Sequence, residues 1–147
     1  PIVAPGKYVA KLTIGSEILE QTFEIVIDPR VKESGITSND IKVQIEFQQK
    51  IIKLLSEAKK MEVSMENRLN TLNKGKANNS GKIKKLNIAL KFLKNDSGAY
   101  PQQMLVSQIS YLLNMASGAD KKIGAEAKKR FKELVIEFDK IKKMATL

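Results

Sequence analysis

Asp28-Pro29-Arg30-Val31-Lys32-Glu33-Ser34-Gly35-Ile36-Thr37-Ser38-Asn39-Asp40 marks the place where the hydrophobic period of the chain changes. Before it, apolar residues alternate. After it, they recur at steps of three and four. Period two reads as strand and period 3.6 as helix, so this stretch divides the fold. Pro29 cannot donate to a sheet ladder and ends the strand pattern. Residues 31 to 37 read as a linker. Thr37, with Asp40 three residues on, has the spacing of a helix N-cap with a capping box.

Upstream, Tyr8, Ala10, Leu12 and Ile14 alternate with Lys7, Lys11 and Thr13. Phe23, Ile25 and Ile27 alternate with Thr22, Glu24 and Val26. Gly15-Ser16-Glu17 between the two runs predicts a tight antiparallel hairpin. An isolated hairpin is marginal in water. Both of its faces carry some apolar residues, so it is expected to be buried, either on the following helices or in a sheet whose other strands lie elsewhere. The abrupt opening at Pro1-Ile2-Val3 reads as the start of a trimmed fragment.

Downstream, a first helix is expected from about Ser38 to about Asn73, with a stripe of Ile41, Ile45, Ile52, Leu55, Ala58, Met65, Leu69 and Leu72. The Asn73–Gly81 segment reads as a loop. A second helix carries Ile83, Leu86, Leu90 and Leu93 and ends at Asn95-Asp96-Ser97-Gly98. Pro101 suits the first turn of a third helix, bearing Leu105, Ile109, Leu112 and Ala116 and stopping at Ser117-Gly118. A fourth, from about Gly124 or Ala125, places Ala127, Phe131, Leu134, Phe138, Ile141 and Ala145 on one side. The expected fold is α+β, mostly α. Its parts are a β-hairpin over 1–30, a linker over 31–37, and an antiparallel up-down bundle of three or four helices over 38–147. The first helix is about twice as long as the next two, so its far half needs a further partner. The hairpin and a second copy of the chain are the candidates, the latter giving a homodimer through the hairpin or this helix.

Composition excludes more chemistry than it indicates. The 147 residues include no Cys, no His and no Trp. Thiol nucleophiles, disulfides, Cys/His zinc sites and imidazole acid–base catalysis are therefore out of reach. No apolar run approaches the roughly 20 residues that span a bilayer. The net charge is +10, and its distribution is uneven. Residues 1–37 hold four basic and five acidic side chains, while the remaining 110 hold 22 and 11. Three of the 26 basic residues are Arg, whereas planar phosphate recognition favours Arg. Abundant Lys, Ile and Asn together are also what an AT-rich genome encodes. These lysines therefore read first as a solvated face. The alternative is a basic module binding nucleic acid or another polyanion through Lys82, Lys84, Lys85, Lys128, Lys129 and Arg130.

Short motifs fail as sites. Gly75 and Gly81-Lys82 have five residues between the glycines instead of the four of a phosphate loop, and Ile83 follows where Ser or Thr is needed. Ser56-Glu57-Ala58-Lys59 matches Ser-x-x-Lys without a later Lys-Thr-Gly. Glu62 with Glu66, and Glu133 with Glu137, lie one helical turn apart, but bundle di-metal sites also need His. Lys59 and Lys129 are placed to pair with them. No catalytic residue, metal or cofactor is predicted.

Two motifs together carry a family resemblance. Ala4-Pro5-Gly6-Lys7-Tyr8-Val9-Ala10-Lys11-Leu12-Thr13 resembles the Pro-Gly-x-Tyr-x-x-x-Leu hairpin that closes bacterial immunoglobulin-like sandwiches. Gln21-Thr22-Phe23-Glu24-Ile25-Val26-Ile27-Asp28-Pro29-Arg30-Val31 is similar to a segment near the C-terminus of large bacterial sortilin-like BNR-repeat propeller proteins, often labelled glycosyl hydrolases. There it leads into a helical region with a long first helix and an Asp-containing loop before the last. Ser117-Gly118-Ala119-Asp120 stands at that loop, although Ile123-Gly124 follows where the family has Pro-Thr. The resemblance implies a non-catalytic C-terminal accessory region. It also implies upstream propeller and sandwich domains in the same chain and a periplasmic or secreted location. Pro5, Gly6, Tyr8, Asp28, Pro29 and Arg30 would then be structural residues, with Tyr8 at a sandwich corner.

Overall fold

The computed structural model describes residues 3–75, 79–95 and 100–145. The expected opening at Pro1-Ile2 and parts of the two loops, at 76–78 and 96–99, lie outside them. The architecture is a two-stranded antiparallel hairpin followed by a mostly helical body.

Strand β1 spans Gly6–Ile14 and β2 spans Glu17–Ile25, with Ile14 paired to Glu17 and Gly6 to Ile25. Gly15 takes φ +60°, while Ser16 does not have positive φ. A positive φ at the first of two loop residues is the pattern of a type II′ turn, whose twist matches the strands it joins.

The expected linker is partly helical. Asp28 caps a single turn, α1 (Pro29–Glu33), and Pro29 sits at its start, where a missing N–H costs nothing. The Gly35 N–H bonds Lys32 O at 3.0 Å and the Ile36 N–H bonds Val31 O at 3.3 Å. With Gly35 at φ +83°, this is a Schellman ending. The period analysis missed α1 because one turn is too short to show a 3.6 repeat.

Helix α2 (Ser38–Lys74) starts at the predicted capping box. The Asp40 N–H donates to Thr37 Oγ1 at 3.1 Å, and the Thr37 N–H donates to Asp40 Oδ2 at 2.9 Å. At 37 residues it is about 55 Å long. Helices α3 (Ser80–Leu93), α4 (Leu105–Ser117) and α5 (Ala125–Ala145) pack around it.

Long-range bonds set the helix directions. Lys94, just beyond α3, pairs with Glu66 on the distal half of α2, and Ala116, near the end of α4, meets Gln44 and Gln48 near the start of α2. Arg68 reaches Ala145 O at the end of α5. Both α3 and α4 therefore run antiparallel to α2, one after the other, while α5 runs beside it in the same direction. The far half of α2 is covered by α3, so neither the hairpin nor a second chain is needed there. Asn95 Oδ1 accepts the Met104 N–H at 2.7 Å across the break between α3 and α4. Helix α4 thus begins four residues after Pro101, which is not in its first turn.

The core joins Phe47, Ile51, Leu54, Ala58 and Met65 of α2 to Leu86, Leu93, Ile109, Leu112, Leu134, Phe138 and Ile141. The expected stripes of α3, α4 and α5 are buried or half-buried throughout. In α2 the expected stripe is buried or half-buried except at Ile52, and the buried face centres slightly to one side of it. Ile52 is exposed while Ile51 and Leu54 are buried, and Gln44 and Gln48 occupy core positions. The doublets Ile51-Ile52 and Leu54-Leu55 fit two phases of the helix equally, and the neighbouring helices select one.

Candidate functional site

Among the described residues, no helix packs on the hairpin. Paired residues share a face, so Tyr8, Ala10, Leu12 and Ile14 stand with Phe23, Leu19 and Ile25 on one side. Lys7, Lys11, Glu20 and Glu24 stand on the other, where Lys11 Nζ lies 3.3 Å from Glu20. The first face also holds Glu17 and Gln21, and the second also holds Val9 and Ile18, so the register makes one face mainly apolar and the other mainly polar. Neither strand packs on any helix. Leu12, Leu19 and Phe23 are 55%, 60% and 45% exposed. The expectation that the hairpin is buried fails within this chain.

Tyr8 bridges sequence and geometry. Its ring stacks on Phe23 with centroids 6.0 Å apart, and its hydroxyl donates to Ala4 O at 2.6 Å. A Tyr hydroxyl bonded to backbone a few residues upstream also occurs in immunoglobulin-like sandwiches. Pro5 is half-buried beside it and lines a small cleft with Ile25, Ile27 and Pro29. Gly6 has no positive φ, and a Cβ there would meet the Tyr8 ring at 3.8 Å, an ordinary contact. Nothing in this structure requires glycine at that position.

Asp28, Pro29 and Arg30 form one local unit. Asp28 Oδ1 accepts from the Arg30 N–H at 2.9 Å and from Arg30 Nε at 3.1 Å, while Oδ2 accepts from Nη2 at 2.7 Å. The Arg30 side chain and N–H hold the Asp28 carboxyl below its ordinary range, and the same contact raises Arg30. This unit caps α1 and binds nothing else among the described residues.

On the bundle, the carboxylate pairs meet partners other than those the spacing indicated. Glu66 pairs with Lys94, not with a lysine of its own helix. That contact raises the Lys94 ammonium. Glu133 and Glu137 lie 3.0 and 3.2 Å from Arg130 Nη1, and Gln108 of α4 bonds Nη2. The hydrogen bond Arg130 donates to Glu133 and the charges of Glu137 and Glu133 raise the guanidinium.

The six residues of the expected polyanion patch do not converge. Lys82, Lys84 and Lys85 lie at the start of α3, by the distal end of α2. Lys128, Lys129 and Arg130 lie at the start of α5, by its proximal end. The gap along α5 alone is about 20 Å at 1.5 Å per residue. Arg130 is also occupied by three partners within the bundle.

Compared with known protein families, curated proteins and solved structures, the chain matches none. Its site must therefore be judged on its own geometry. Among the described residues, no helix is long and apolar enough to cross a membrane. Two features had no signal in the sequence. One is a cleft of about 720 Å³ between α4 and α5, with Tyr111, Leu112, Met115 and Ala127 on its walls and Arg130 at its edge. The other is the pair Gln44 and Gln48. Gln44 Nε2 donates to Ala116 O and Ala119 O, both at 2.7 Å, and Gln48 Nε2 donates to Ala116 O at 2.9 Å. Gln44 Oε1 accepts the Lys121 N–H at 3.2 Å. Together they satisfy the Ala116 carbonyl in the last turn of α4, whose own helix offers it no donor, and the Ala119 carbonyl of the loop that follows.

Proposed function

We propose that this chain is a non-catalytic interaction module of a larger exported propeller protein, and that its hairpin supplies the closing strands of an immunoglobulin-like sandwich. The observation that carries this reading is the Tyr8 hydroxyl on Ala4 O beside an apolar sheet face without a cover. A sandwich strand presents one face to a facing sheet and the other to water. The hairpin leans that way, with Leu12, Leu19 and Phe23 on one mainly apolar face and its ion pair on the other, mainly polar one. The Asp28-capped turn then redirects the chain into α2, and the buried core of the bundle makes the helical part a self-sufficient body. Any glycan or peptide chemistry of the parent would reside in its propeller.

The chain has no Cys, so a single introduced thiol reports its own surroundings. Leu12→Cys should react quickly with a maleimide in the separate chain and slowly in the parent polypeptide. Glu20→Cys, on the charged face, should react quickly in both. Equal reactivity of Leu12→Cys in both settings would show that no facing sheet exists and would discard the proposal.

A further inference from the structure

Helix α3 contains five lysines counting Lys94 just beyond its end, and no acidic residue. Ile88 and Phe92, one turn apart, are 42% and 48% exposed. They lie on the outer arc of the helix between Lys84 and Lys91 on one side and Lys85 on the other, all three exposed. Ile83, Lys84, Ile88 and Lys91 border one shallow depression, and Phe92 borders a second together with Lys140 and Met144 of α5. The apolar residues therefore form a ridge within a field of ammonium groups. Lys84, Lys85, Lys91 and Lys140 form no ion pair with a described residue. The nearby acids Glu66, Glu137 and Asp139 are engaged by Lys94, Arg130 and Lys142.

We propose that this face of α3, with the adjoining edge of α5, docks on an anionic lipid surface. A helix with lysines flanking exposed apolar side chains lies in a bilayer interface, with the ammonium groups among headgroups and the apolar ones at the acyl boundary. Juxtaposed lysines gain from the negative surface potential there. The same residues suit nucleic acid less well. α3 carries no arginine fork, and Phe92 is the one aromatic side chain on it. This inference is independent of the hairpin reading, since it uses no residue of the hairpin.

The test uses the whole chain with phosphatidylcholine vesicles and with vesicles of equal parts phosphatidylcholine and phosphatidylglycerol. Binding is expected to the mixed vesicles alone and should weaken as salt rises. The chain lacks Trp, so Phe92→Trp provides a single fluorophore at the contact. Its emission should shift to the blue on binding. Lys84→Gln, Lys85→Gln and Lys91→Gln together should lower partitioning roughly 100-fold, at about fivefold per lysine near the surface. Ile88→Ser with Phe92→Ser should lower it at unchanged charge. Lys128→Gln, Lys129→Gln and Lys132→Gln remove the same charge near the other end of the bundle and should change it little. All these side chains are exposed, so circular dichroism should report the same fold for each variant. No binding to mixed vesicles overturns the proposal. So does binding without a blue shift, or equal loss from the two lysine triplets. Stoichiometric displacement of the vesicles by a single-stranded oligonucleotide would transfer the face to nucleic acid.

Discussion

Leu12, Leu19 and Phe23 in the hairpin are about half exposed, whereas Ile51, Ile109 and Leu134 in the bundle are fully buried. The two regions have similar apolar patterns but place them differently. Each helix of the bundle finds a neighbour within the chain, and its stripe closes into one core. The hairpin has a correct turn, a full register and a stacked aromatic pair, yet no helix among the described residues packs on its apolar face. A two-stranded ribbon buries too little surface to offset its ordering entropy. Local consistency is thus enough to define an element, while stability requires a second layer.

The severest way to break this comparison is to separate the regions. Residues 28–145 alone should keep their helical circular dichroism and unfold within about 0.5 kcal/mol of the whole chain. A peptide of residues 3–27 should show no cooperative transition. If the helical part collapses instead, the hairpin stabilises it through contacts the structure does not contain.

Single deletions sharpen the contrast. Ile51→Ala or Leu134→Ala should cost about 2–5 kcal/mol in denaturant unfolding, because each leaves a cavity in a closed core. Leu12→Ala should cost less than about 0.5 kcal/mol in the separate chain. Comparable losses at the two sites would mean that the hairpin face is covered in solution.

A smaller effect is expected at the buried amides. Gln44→Ala should cost about 1–3 kcal/mol, since it leaves the Ala119 carbonyl and the Lys121 N–H without this partner. Gln48→Ala should cost less, because Ala116 O keeps its bond from Gln44. Equal costs for the two would show that the shared carbonyl, not the added bonds of Gln44, carries the effect.

The smallest effect concerns the boundary between the regions. Thr37→Ala should cost about 1 kcal/mol by removing the cap of α2. The Thr37 hydroxyl and N–H hold the Asp40 carboxyl below its ordinary 3.8. A depressed carboxyl stabilises the fold above the unfolded value and loses that contribution as pH falls through the folded one. Stability from the cap should therefore persist from neutral pH down to about 4 and decline below it. The Thr37→Ala variant should show a shallower decline over the same window, which pH-dependent thermal unfolding measures.

Thr37, Asp40, Gly15 and the stripes of the last three helices were legible because each depends on residues a few positions away. A cap, a turn and a helical repeat are all decided within one or two turns of chain. The motif carrying Tyr8 was legible too, although its bond to Ala4 needed coordinates. What escaped depends on distance along the chain. Gln44 and Gln48 look like surface residues until the end of α4 and the loop after it bring the Ala116 and Ala119 carbonyls, 68 to 75 residues away in sequence, against them. Arg130 looks like part of a basic run until Gln108 and two glutamates enclose it.

By itself, then, the amino-acid order determined the hairpin and the longer helices, though not α1 or the start of α4, and that two architectures follow one another. Tertiary structure alone decided that α3 and α4 share one side of α2, which phase of that helix faces inward, and which lysines stand together. It also decided that the hairpin stays open within this chain. Periodicity names an apolar face, but only the packing of one element on another determines whether that face is covered.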